Sequence, residues 1–136
     1  VAGYEDNGEK RIAKVWRDGM PTILGDGIKD SYAHSISITD NNEVYVFGRE
    51  ELGNNIQVEY KVWNGGELTS NILPSNQMYF ATGIASHKND IYVSGTSKNP
   101  NRADDYWSAV VWKNGEPTFI DDSAYNGSRT TCIFIK

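Results

Sequence analysis

Apolar and polar residues alternate in short runs along this chain, and turn-forming pairs separate the runs. Glu43-Val44-Tyr45-Val46-Phe47-Gly48 and Asp90-Ile91-Tyr92-Val93-Ser94-Gly95 are rich in β-branched and aromatic residues, the pattern of a strand. A second kind of run ends in Lys14-Val15-Trp16, and returns as Lys61-Val62-Trp63 and Val110-Val111-Trp112. Asp18-Gly19, Gly65-Gly66 and Asn114-Gly115 follow at equivalent places. Such pairs suit a two-residue hairpin in which φ is positive.

The three tryptophans are 47 and 49 residues apart. A third element, Ala33-His34-Ser35-Ile36, matches Ala81-Thr82-Gly83-Ile84 and Thr130-Thr131-Cys132-Ile133, and in each the Ile lies 20 or 21 residues beyond the preceding Trp. Three signatures in constant order define a repeat. Each period reads as four short strands: 33–38, 43–49, a run ending in Trp63, and a last one reaching about Leu24, Leu73 or Ile120. Pro21 and Pro117 stand near the start of that last strand. Because proline cannot donate to a ladder, the fourth strand is expected at a sheet edge. Simple alternation puts Ala33, Ser35 and Ser37 on one side of the first strand and Ile36 on the other.

Four antiparallel strands in about 47 residues is the pattern of a β-propeller blade. The expectation is an all-β chain of three four-stranded repeats, 1–29, 30–77 and 78–127, with a closing inner strand at 130–136. A β-sandwich built from the same hairpins is the alternative. The first repeat lacks its inner strand and the last residues supply a spare one. Two architectures follow: half of a six-bladed ring closed by a second copy, or a fragment of a larger propeller whose other blades supply the missing strand. Either removes an open strand edge.

These units, read as Ser35-Ile36, then Asn89-Asp90-Ile91-Tyr92-Val93-Ser94-Gly95, then Val111-Trp112-Lys113-Asn114-Gly115, resemble the repeats of bacterial β-propeller proteins. The resemblance covers nearly the whole chain. It implies the fold and an exported location, periplasmic or at the cell surface, and little about activity, because propellers host many functions.

Composition agrees with strands over helices: Ile and Val number 21, against 12 for Leu and Ala. The net charge is −5 and no run of Lys or Arg occurs, so nucleic acid is not an expected partner. Cys132 is the one cysteine, which excludes an internal disulfide and a cysteine-built zinc site. No apolar run approaches the roughly 20 residues of a membrane-spanning helix. The chain starts at Val1 without a methionine, as a processed product or a fragment would.

Candidate chemistry gathers in the loops that lead from the fourth strand of one repeat to the first of the next. Tyr32, Phe80 and Arg129 hold the same repeat position there, with Tyr79 and Tyr125 close by in sequence. Such a set would form a platform for a sugar or small polar ligand, unless the aromatics only wedge the loops in place. Trp16, Trp63 and Trp112 recur in phase and read as equivalent buried packing residues. Trp107 does not recur. With Tyr106 it follows Asp104-Asp105, and these two aromatics are the freest to touch a ligand.

Enzymatic signals are weaker. Asp121 and Asp122 are adjacent, whereas a glycosidase pair must span a scissile bond, so they read as turn residues. His34 and His87 have no partner at metal-ligand spacing. Cys132 aligns with Ser35 and Gly83 and reads as a small buried residue. Gly25 and Gly27 have no third Gly or Lys in register for a phosphate loop, and no cofactor is implied. The function expected is therefore a non-enzymatic binding or scaffold module for a glycan or small polar ligand. An enzyme acting on a polysaccharide or small polar substrate at the same loops is the alternative.

Overall fold

A computed structural model describes residues 1–53, 58–69, 73, 79–102, 106–120 and 125–136. The protein is all-β, 59% strand, with no helix among the described residues. Among the described residues eleven strands form three antiparallel sheets. The chain divides into two compact units, Val1–Ser70 and Asn71–Lys136.

In the first unit, β1 (Ala2–Asp6), β2 (Arg11–Arg17) and β3 (Met20–Ile23) make a three-stranded sheet in sequence order. β4 (Ser31–Ile38), β5 (Val44–Glu51), β6 (Val58–Asn64) and β7 (Glu67–Leu68) make a four-stranded one, again in sequence order. Ala13 and Leu24 from the first sheet and Ala33, Val46 and Trp63 from the second bury one apolar core. Ser31 Oγ accepts a 2.9 Å hydrogen bond from the Ala13 amide, and Asp30 Oδ1 accepts one of 2.8 Å from the Arg11 amide. These bonds fix the start of β4 beside β2.

The second unit holds one sheet, β8 (Tyr79–His87), β9 (Asp90–Lys98), β10 (Trp107–Lys113) and β11 (Glu116–Phe119), in that order. The chain then returns, and Ser128 Oγ accepts a 2.8 Å bond from the Ala109 amide. Ala109 precedes Trp112 by three residues, as Ala13 precedes Trp16. The same serine bond therefore stands beside β2 and beside β10.

The three expected hairpins turn as their sequences require. Asp18-Gly19, Gly65-Gly66 and Asn114-Gly115 all have positive φ. Pro21 and Pro117 lie on β3 and β11, both edge strands. β7 spans Glu67–Leu68 and the Thr69 amide adds a 2.8 Å bond to the Val62 carbonyl; the stretch 70–72 towards Leu73 lies outside the described residues.

Three expectations need correction. The register shifts between Ala33 and Ser35 and again between Ala81 and Gly83. Each bulge inserts an extra residue, His34 or Thr82, and reverses the alternation beyond it. Ala33 pairs with Gly48 and Ser35 with Phe47, so these two small residues face opposite sides. Trp63 and Trp112 are fully buried, but Trp16, in the one three-stranded sheet among the described residues, is only half-buried. Cys132 is exposed. Apart from these three, the segment 130–136, expected to close a sheet with a second copy or further blades, is in no ladder of this single chain; Thr130 Oγ1 donates 3.1 Å to the Gly95 carbonyl and lies 3.0 Å from Thr82 Oγ1.

Candidate functional site

The register brings Phe80, Thr96 and Ala109 into one rung across β8, β9 and β10. Alternation places Trp107, two residues before Ala109, on the same face. Thr96 lines the space on that face, and the small Ala109 is buried beneath it. The result is an open cleft of about 710 Å³ in the second unit. Phe80 and Trp107 form an aromatic wall, with ring centroids 5.3 Å apart and planes tilted by 49°. Lys98 Nζ sits 5.1 Å from the Trp107 ring centre, and this cation keeps the indole face in place.

The remaining lining comes from Tyr106 and from the returning segment 126–131, including Arg129. Hydroxyls dominate it: Thr82, Thr96, Ser128, Thr130 and Thr131. Thr82 Oγ1 is within 2.9 Å of Ser94 Oγ as well as 3.0 Å of Thr130 Oγ1, so part of this hydroxyl set is pre-ordered. The Ser128 amide donates 2.9 Å to the Trp107 carbonyl, which ties the returning segment to the aromatic wall. Arg102 Nη2 donates 3.0 Å to the Tyr125 carbonyl and holds the loop before Arg129. A site of this kind offers apolar faces, hydroxyl donors and acceptors, and one guanidinium.

Of the residues singled out by sequence, Phe80, Tyr106, Trp107 and Arg129 line this one cleft. Tyr125 is exposed beside it. Tyr79 begins β8, but its side chain lies outside the described residues, as do Asp104, Asp105, Asp121 and Asp122. Tyr32 belongs to the first unit. The hydroxyl lining escaped notice in the sequence; its one visible signal is the run Ser128-Arg129-Thr130-Thr131.

Nothing matches the chain among family models, curated proteins or solved structures. The geometry therefore carries the argument alone. Among the described residues no group of three His, Cys, Asp or Glu side chains could hold a metal ion, and no helix is long and apolar enough to cross a membrane.

In the first unit, the rung at the corresponding position is filled. Arg49 stands between Tyr32 on β4 and Tyr60 on β6, where the second unit has Thr96 between Phe80 and Ala109. The Arg49 guanidinium carbon lies 4.9 Å from the Tyr32 ring centre. His34, the bulge residue, lies parallel to Tyr32 at 6.3 Å and within 6.1 Å of Phe47, which stacks on Tyr60 at 5.8 Å. Partial burial, and then the charge of Arg49, hold the His34 imidazole below its ordinary pKa. Burial raises the Tyr60 phenol against the opposing pull of Arg49.

On the opposite face of that sheet, Lys61 Nζ pairs with the buried Glu50 at 2.5 Å. Burial works against the Lys61 charge, but the Glu50 hydrogen bond and charge outweigh it, and the net shift is upward. Lys14 and Glu5 make the same pair in the first sheet. In the second unit Val110 and Ser97, both fully buried, stand at those positions.

Proposed function

We propose that this chain is a non-enzymatic binding module, that its three sheets are blades of a β-propeller, and that its ligand is a glycan or similar small polar molecule seated against Trp107. The observation that carries the reading is the pairing of Phe80 and Trp107 at the wall of a cleft otherwise lined by hydroxyls and Arg129. A sugar ring presents an apolar C–H face and a rim of hydroxyls. Aromatic faces take the first and placed polar groups take the second.

The propeller reading is supported by the shared strand order of the sheets, by equivalent positive-φ hairpins and by prolines on outer strands. The three-stranded first sheet and the unladdered 130–136 segment are the two halves of the closure this reading requires. A second copy or further blades of a longer chain would complete it.

The test is a glycan array followed by titration of any hit. Trp107→Ala should weaken binding roughly tenfold or more, equivalent to about 1.4 kcal/mol, and Arg129→Gln should weaken it too. A blank array, or a hit indifferent to both substitutions, would overturn the assignment.

A further inference from the structure

The filled rung of the first unit has a feature that packing does not explain. Arg49 is half-buried, its Nε is shut off from solvent, and that Nε has no hydrogen-bond partner. Among the described residues no carboxylate pairs with it, whereas Lys14, Lys61, Lys113 and Arg11 pair with Glu5, Glu50, Asp90 and Asp6. A buried donor left unpaired is costly, and in a native structure it calls for a partner such as a water or an ion.

A second guanidinium reaches the same ring. Arg11 Nη1 donates 2.8 Å to the Tyr32 hydroxyl, and its guanidinium carbon is 5.8 Å from the Tyr32 ring centre. Asp6 lies 3.7 Å from Arg11 Nε, and both side chains are about half exposed. Asp30 is committed to the Arg11 amide. Glu50 alternates to the opposite face, with Lys61. Around Tyr32 there are thus two guanidiniums, with His34 beside them, against the carboxylates of Asp6 and Asp30, and neither carboxylate pairs with Arg49. Tyr4, half exposed, lies edge-on to the buried Tyr32 at 5.2 Å.

We propose that Arg49 and Arg11, which both reach the Tyr32 ring, form an oxyanion site for a small molecule bearing a carboxylate, sulfate or phosphate group. The fork of an arginine matches such groups through two parallel hydrogen bonds. The terminal amino groups of Arg49 meet the anion first. A turn of the guanidinium plane then brings Nε into a side-on, two-bond grip and gives this donor its missing partner. The proposal is independent of the cleft at Trp107, which belongs to the other unit.

The experiment follows the arginine Nε–H and His34 ring signals by NMR while sodium glucuronate, sulfate or phosphate is added. Sodium chloride at equal ionic strength is the control, because chloride reproduces screening alone. A saturable shift at Arg49 Nε–H, together with a rise in the His34 pKa, supports the site, and the anion that saturates first names the oxyanion. Arg49→Lys keeps the charge but loses the fork, and should weaken the effect roughly tenfold. Arg11→Gln should weaken it as well. Shifts no larger than those with chloride, or equal saturation in Arg49→Lys, would overturn the proposal. Should that variant lose its folded spectrum, Arg11→Gln decides: unchanged saturation there refutes the two-guanidinium site.

Discussion

Trp63 and Gly48 stand on neighbouring strands so closely that a Cβ on Gly48 would lie 2.7 Å from Trp63 Cζ3 and 2.0 Å from the Tyr32 carbonyl oxygen. Trp112 and Gly95 repeat the relationship, with 2.6 Å to Cζ3 and 2.5 Å to the Phe80 carbonyl. In the first sheet the gap at Gly3 is looser, 3.4 Å from Trp16 Cζ3. The glycine of each Val-x-Gly signature is thus a requirement for space. Gly48→Ala and Gly95→Ala should each destabilise the fold by about 1–3 kcal/mol or more, the usual cost of overpacking. Gly3→Ala should cost less than about 1 kcal/mol, because 3.4 Å is close to ordinary contact. Urea midpoints of the three variants check the order.

The tryptophans themselves should divide in the same way. Trp63→Ala and Trp112→Ala each empty a fully buried site and should cost about 3–5 kcal/mol. Trp16 is half-buried, so Trp16→Ala should cost distinctly less. Equal losses in all three by chemical denaturation would mean that Trp16 is covered in solution by a further strand.

The strands and hairpins were legible because their causes are local. A turn such as Asn114-Gly115 announces positive φ, and Pro21 announces an edge. The bulges at His34 and Thr82 were not legible. Nothing in Ala33-His34-Ser35 marks an extra residue, and the face that each small side chain takes depends on pairing with β5. The cleft was half legible. Phe80, Tyr106, Trp107 and Arg129 stood out by type, but the hollow between them depends on Thr96 and Ala109, which lie on two different strands. Only the register brings them level. Arg49 carries no signal in the sequence for the same reason, since its significance lies in Tyr32 and Tyr60 on either side.

Acid should destabilise the first unit through His34. Its folded pKa lies below the ordinary value of 6.5, so between those two values the unfolded chain binds more proton. Stability then rises with pH across that window. It is complete above 6.5 and is lost as the pH falls through 6.5 towards the lower folded value. His34→Gln should remove this component. Comparing urea midpoints from pH 8 to pH 5, the wild type should lose stability relative to the variant only below about 6.5. Parallel curves would show that the imidazole titrates freely.

The hollow and the filled rung differ at two aligned positions, and exchanging them tests whether the hollow is what binds. Thr96 and Ala109 hold the places that Arg49 and Tyr60 occupy in the four-stranded sheet of the first unit. Both pairs sit in the same antiparallel register, beside an aromatic of the neighbouring strand, Phe80 on β8 or Tyr32 on β4. The backbone at this rung therefore already accommodates a large pair in one sheet. Thr96→Arg with Ala109→Tyr should fill the cleft of about 710 Å³ and cover the Trp107 face. Overpacking at the buried Ala109 is expected to cost about 1–3 kcal/mol, so the folded state must first be verified by circular dichroism and by the position of its urea transition. In the folded double variant, glycan binding should vanish, while Trp107 fluorescence should report a ring shielded from added quencher. Retained binding with a shielded Trp107 would place the ligand elsewhere on the chain.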